Sequence, residues 1–124
     1  MIVLGVAIAG GLGAVLRFVL DGLIGRVNKL PLPVGTFLIN VTGSLFLGLV
    51  TGFAATHLGW DQWRLILGTG LAGGYTTFST ASVEGANLLT GGSAQRPWLI
   101  TASHCLLMLV LSLAMVMLGL WLTR

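Results

Sequence analysis

Charged residues are scarce in this chain. Asp, Glu, Lys and Arg together make up 7% of its 124 residues, where a soluble domain carries about 25%. That is too little charge to coat a water-facing surface, so an ordinary soluble globule and a disordered tail are both excluded. Cysteine is nearly absent: Cys105 is the only one, which rules out an intrachain disulfide scaffold. It sits in an apolar run without metal-ligating partners at a suitable spacing, and reads as a small packing residue. The six basic residues are scattered. A net charge of +3 without a patch is no nucleic-acid footprint, and reads as membrane-flanking charge. No paired carboxylates, nucleophile–base triad or metal cluster emerges, so the chain does not read as an enzyme.

What the chain does have is apolar length and glycine: 56% apolar residues, 19 glycines and a mean hydropathy of +1.01. Crossing the hydrocarbon core takes about 20 helical residues. Four stretches qualify, at about 2–24, 34–57, 63–89 and 97–122. Polar, Gly- or Pro-containing connections at 25–33, 58–62 and 90–96 separate them. The expectation is one all-α integral membrane domain over residues 1–124, with no cleavable signal peptide. The first run lacks a basic leader and contains Arg17 and Asp21. Trp60, Trp63, Trp98 and Trp121 fall near span ends, where aromatic belts lie. Gly48 with Gly52, extended by Ser44, and Gly70 with Gly74 are spaced for close helix packing.

Four spans put both termini on one side, with Arg64 and Arg124. Arg26, Lys29 and Arg96 lie on the other. So weak a bias is compatible with insertion in both orientations, and two copies could then pair antiparallel. It is equally compatible with one fixed orientation.

Polar groups inside spans are expensive unless they meet each other or water. Asn40, Ser44, Gly48 and Gly52 recur every four residues and share one helix face. Such a face serves either a polar pathway or interhelical hydrogen bonding. The third stretch holds Gly73-Gly74-Tyr75-Thr76-Thr77-Phe78-Ser79-Thr80-Ala81-Ser82-Val83-Glu84. Two glycines and a run of hydroxyls make a poor continuous helix. A break there frees backbone groups, which persist only when buried in protein or lining a hydrated cavity. The segment lacks the lysine of a phosphate loop and the G-x-S-x-G frame of a nucleophile elbow. Arg17 and Asp21 are spaced to pair on one helix face, and Glu84 has Arg17, a threonine hydroxyl or water within its options. They read as structural ion pairing or as field-setting charges for an anion path. His104, Met108 and Ser112 share a face of the fourth span.

Three of these segments resemble the Fluc (CrcB) fluoride channels, and the resemblance covers essentially the whole chain. They are Gly10-Gly11-Leu12-Gly13-Ala14-Val15-Leu16-Arg17-Phe18, the Gly35-Thr36-Phe37-Leu38-Ile39-Asn40 segment continuing to Ser44, and Gly73-Gly74-Tyr75-Thr76-Thr77-Phe78-Ser79-Thr80 with Glu84 beyond it. The resemblance implies an antiparallel, dual-topology homodimer with two narrow fluoride pores, in the inner (plasma) membrane of a microbe. It implies a structural Na⁺ on the dimer axis, held by the carbonyls of Gly73 and Thr76. It maps the pore to Asn40, Ser44, Phe78, Ser79, Thr80 and Ser112, a vestibule to Arg17 and Glu84, and further pore lining to His104 and Met108. Donor hydroxyls, an amide and an electropositive ring edge suit a small, strongly hydrated anion.

Two positions depart from that pattern. Ala81 stands where the family commonly has a second phenylalanine, and Met108 cannot donate a hydrogen bond. Slower or less selective conduction is expected, or a paralogous partner that supplies the missing ring. A proton-coupled small multidrug exporter is the main alternative. It would need a membrane-embedded carboxylate in the first span, which offers only Asp21 near its end. A non-conducting assembly subunit is a third reading.

Overall fold

The computed structural model describes residues 1–30, 32–91 and 96–124. The expected connections at 25–33 and 90–96 therefore fall partly outside the described residues. Every regular element among those described is helical. The order is α1 (Ile2–Val27), α2 (Val34–Thr56), α3 (Asp61–Trp63), a π-helical stretch (Arg64–Ala72), α4 (Gly73–Tyr75), α5 (Phe78–Thr90) and α6 (Pro97–Leu122). α1, α2 and α6 are long and apolar enough to cross a membrane.

The long helices form because nothing interrupts them. Pro97 sits at the first position of α6, where its missing N–H costs nothing. α2 begins just past Pro33 and ends at Thr56, and the extended backbone of His57 leads to Gly59 at φ +85°. That left-handed turn needs glycine. Neither α1 nor α6 shows a polar side and an apolar side. α1 buries only Ala9 and Gly13, and α6 only Thr101 and Gly119. Phe18, Val27, Met117 and Trp121 are all more than two-thirds exposed. A helix apolar all round has lipid or protein for a neighbour, not water.

Packing runs through glycine. α2 lies along α6, and α1 lies along the π-helical stretch and α4. At the first contact a Cβ on Gly48 would strike the Val116 carbonyl, and one on Gly119 would stand 2.6 Å from the Leu49 nitrogen. At the second, a Cβ on Gly74 would strike the Gly10 carbonyl, one on Gly13 the Leu71 carbonyl, and one on Gly70 would reach within 2.8 Å of the Val6 carbonyl. Both glycine pairs of the sequence thus lie at backbone-to-backbone contacts. Close approach replaces the hydrophobic driving force that lipid does not supply.

The third apolar stretch is divided. Its first half is the π-helical stretch, a wider coil with Gly68 and Gly70 buried inside it. The chain then leaves helical geometry at Thr76 (φ −79°, ψ 158°) and Thr77 (φ −149°, ψ 127°) before α5 begins. The break follows the Gly-Gly pair instead of falling on it.

A cleft at the helix break

One side chain from another helix, that of Asn40, reaches the break and binds its backbone. In a continuous helix the N–H of Thr77 would bond the carbonyl of Gly73, four residues back. It donates instead to Asn40 Oδ1 at 2.8 Å, and Asn40 Nδ2 returns a bond to the Thr77 carbonyl at 2.9 Å. The amide of Asn40 pairs with the backbone of Thr77 at two points, as a neighbouring strand would. One residue class serves this purpose: the amide is at once donor and acceptor on a short stem.

A second diversion follows. The N–H of Thr80 would bond the carbonyl of Thr76, but it donates to Thr77 Oγ1 at 3.2 Å. Thr77 is the N-cap of α5, a position that favours a hydroxyl acceptor. The two diversions release the carbonyls of Gly73 and Thr76 from the helical ladder. They are hard oxygen donors beside a glycine pair, and both residues line the cleft described next. The donor set therefore fits a small hard cation.

A cavity of about 610 Å³ opens beside the break. Its walls bring together Asn40 and Ser44 from α2, Gly73 and Thr76 from α4 and the break, Phe78 and Ala81 from α5, and Met108 and Ser112 from α6. Asn40 Nδ2 also faces Met108 Sδ at 3.5 Å. Phe78 is 88% exposed, so its ring stands clear of this chain's own core. The N-terminus of α5 adds the positive end of a helix dipole at the same place.

Five other expected residues are elsewhere. Ser79 and Thr80 do not line the cleft. Their hydroxyls cluster on Thr77 Oγ1, at 3.2 and 3.1 Å, within the cap of α5. His104 packs against Phe37, with ring centroids 6.0 Å apart. Glu84 Oε1 accepts a 2.8 Å bond from Thr36, which is 2% exposed. The i, i+4 pair of Arg17 and Asp21 does not close: Arg17 Nε is buried without a hydrogen-bond partner, as is Glu84 Oε2. Asp21 instead lies against Gly35, where a Cβ would strike its carboxylate oxygen.

Sequence reasoning passed over Thr36 and Thr77. Thr36 was legible only as part of the Gly35-Thr36 segment. Thr77 carried a usable signal, since a threonine ahead of a renewed helical run is an N-cap pattern.

Fold and cleft together define an all-helical membrane protein with a largely apolar cleft at a broken helix, into which one amide and a few hydroxyl side chains are gathered. The chain belongs to the CrcB family, described as CrcB-like protein, camphor resistance, whose pattern matches residues 4–120. It is 51% identical to fluoride-specific ion channel FluC 1 of Leifsonia xyli subsp. xyli over 122 residues, 98% of this chain and 86% of that protein. It is 48% identical to fluoride-specific ion channel FluC 2 of Cutibacterium acnes over 121 residues, 97% of this chain and 95% of that one. A relative in Rhodopseudomonas palustris, fluoride-specific ion channel FluC, is 46% identical over 89 residues, 71% of this chain and 72% of that protein. The family is one of ion channels, not enzymes.

Proposed function

We propose that the chain forms a passive, fluoride-selective anion channel that exports cytoplasmic fluoride across the inner membrane of a microbe. The observation that carries this reading is the cleft. An amide, a serine on α2, a serine on α6 and an exposed ring converge beside the N-terminus of α5, with no carboxylate among them. Fluoride surrenders its water shell only where donors replace it. The close relatives named as fluoride-specific channels support the same assignment.

In this reading four transmembrane passes form per subunit, the third of them broken within the membrane. Two copies pair antiparallel and enclose two narrow pores. Exposure of Phe78 and of the α1 and α6 faces supports a second copy. The released carbonyls of Gly73 and Thr76 would hold the structural Na⁺, which would supply a fixed positive charge beside the break. Arg17 and Glu84 set the field of a vestibule. Asn40, Ser44, Phe78 and Ser112 line the path, while Ser79 and Thr80 border it through the cap of α5.

Fluoride efflux from liposomes containing only this purified chain tests the proposal. Rapid release to a fluoride electrode, without chloride release from matched vesicles, is the expected result. Silent vesicles that stay silent after a paralogous chain is added would sink it, and recovery on that addition would make the channel a heterodimer. Proton-coupled efflux of an organic cation would favour the exporter reading.

Ala81 offers a more local test. It is 7% exposed and borders the cleft one turn beyond Phe78, where the open volume accepts a ring. Ala81→Phe adds a second electropositive edge to the path. Fluoride-over-chloride discrimination should rise severalfold in the same flux assay. Identical flux and selectivity would remove Ala81 from the account.

A further inference from the structure

We infer that Met108 is a displaceable acceptor on Asn40 that decides which anions enter the cleft. The inference deepens the channel reading and rests on it. Asn40 has two amide N–H groups, and both are engaged. One donates to the Thr77 carbonyl at 2.9 Å, and the other to Met108 Sδ at 3.5 Å.

The two partners differ in strength. A peptide carbonyl is a full acceptor, whereas a thioether sulfur is a weak one. A hydrogen bond to an ionised acceptor is roughly twice as strong as a neutral one. An anion arriving at Asn40 therefore displaces the sulfur and leaves the Thr77 carbonyl in place. That order matters because the Thr77 bond keeps the helix break open, and the sulfur bond holds nothing else.

Met108 is built to move. Its unbranched side chain turns about several bonds and repacks without strain. It is half-buried, at the edge of the open volume, with Ser112 one turn further along the same wall of α6. When the sulfur swings away, one N–H of Asn40 is offered on one side and the Ser112 hydroxyl lies further along the path. The sulfur also sets a threshold. Fluoride accepts hydrogen bonds strongly and outcompetes a thioether, while large polarisable halides accept poorly and gain little from the exchange. Met108 thus contributes discrimination although it cannot donate.

Two substitutions of similar volume separate this role from packing. Met108→Leu removes the acceptor, and Met108→Gln places a strong carbonyl acceptor within similar reach. The fluoride concentration for half-maximal efflux should fall about threefold in the first and rise about tenfold in the second. A packing role would move both the same way, and that result would overturn the inference. Carbon-13 spectra of methyl-labelled methionine in nanodiscs give a readout independent of flux. Sodium fluoride should shift the Met108 methyl and leave Met115 and Met117 unmoved, and sodium chloride at equal concentration should shift none. A Met108 methyl unmoved by fluoride in a conducting protein overturns the inference and leaves the channel reading intact. A fluoride-shifted Met108 in a protein that does not conduct upholds the contact and overturns the channel reading.

Discussion

Asn40→Asp should abolish fluoride efflux while leaving the protein folded. The aspartate keeps an oxygen where Asn40 Oδ1 accepts the Thr77 N–H, so the first half of the clamp survives. The second half does not. An ionised carboxylate has no proton for the Thr77 carbonyl or for Met108 Sδ. It also places a negative charge where an anion must pass. At about 4 Å and an effective dielectric near 20, that repulsion is about 4 kcal/mol, or on the order of a thousandfold in occupancy. Efflux from liposomes, with circular dichroism and a monodisperse elution profile as folding checks, measures it. Efflux near the parental rate in well-inserted Asn40→Asp would take Asn40 off the path. Misfolded Asn40→Asp would be answered by Asn40→Ser, which retains a shorter donor and should conduct slowly.

The helices were legible because lipid is an undemanding solvent. Apolar length is enough to call α1, α2 and α6, and their limits follow the hydropathy runs to within a few residues. The interruption in the third stretch was legible from composition to within the run from Gly73 to Glu84, but not to the residue. Within that run Gly73 and Gly74 are both helical. The chain opens at Thr76 and Thr77 because Asn40, 37 residues away, captures the Thr77 backbone. A bond between distant segments leaves no periodic trace. The π-helical stretch, which packs on α1 and α2, left no signal in the hydropathy pattern either. Spacing by four placed Asn40 with Ser44, and Met108 with Ser112, on common faces, and the cleft gathers all four. The same rule spaced Arg17 and Asp21 to pair, yet Arg17 Nε is buried without a hydrogen-bond partner. Facing is a property of the helix, whereas pairing depends on what else competes. Ser79 and Thr80 show that competition: the cap of α5 claims their hydroxyls.

Gly74→Ala should dismantle the cleft from behind. The added methyl would strike the Gly10 carbonyl and stand 2.8 Å from the Gly10 carbonyl carbon. Both are backbone atoms, so no side chain can swing aside, and α1 and α4 must separate. Overpacking of this kind costs about 3 kcal/mol. Because Gly74 lies two residues before the break, the displacement also carries Thr76 and Thr77 away from Asn40. Flux and thermal stability in detergent should therefore fall together. Gly11→Ala is the matched control: a Cβ there meets nothing within 4 Å, and alanine gains about 1 kcal/mol of helix preference over glycine. That variant should conduct normally and unfold no earlier than the parent. Equal behaviour of the two would mean that α1 and α4 are free to slide apart, and that the break is positioned by Asn40 alone. Loss confined to Gly74→Ala would mean that the cleft has two anchors, the amide in front and the glycine contact behind. The separation of roles explains the sequence around the break: glycines where backbones touch, hydroxyls where the helix restarts, and a single amide to hold the two apart.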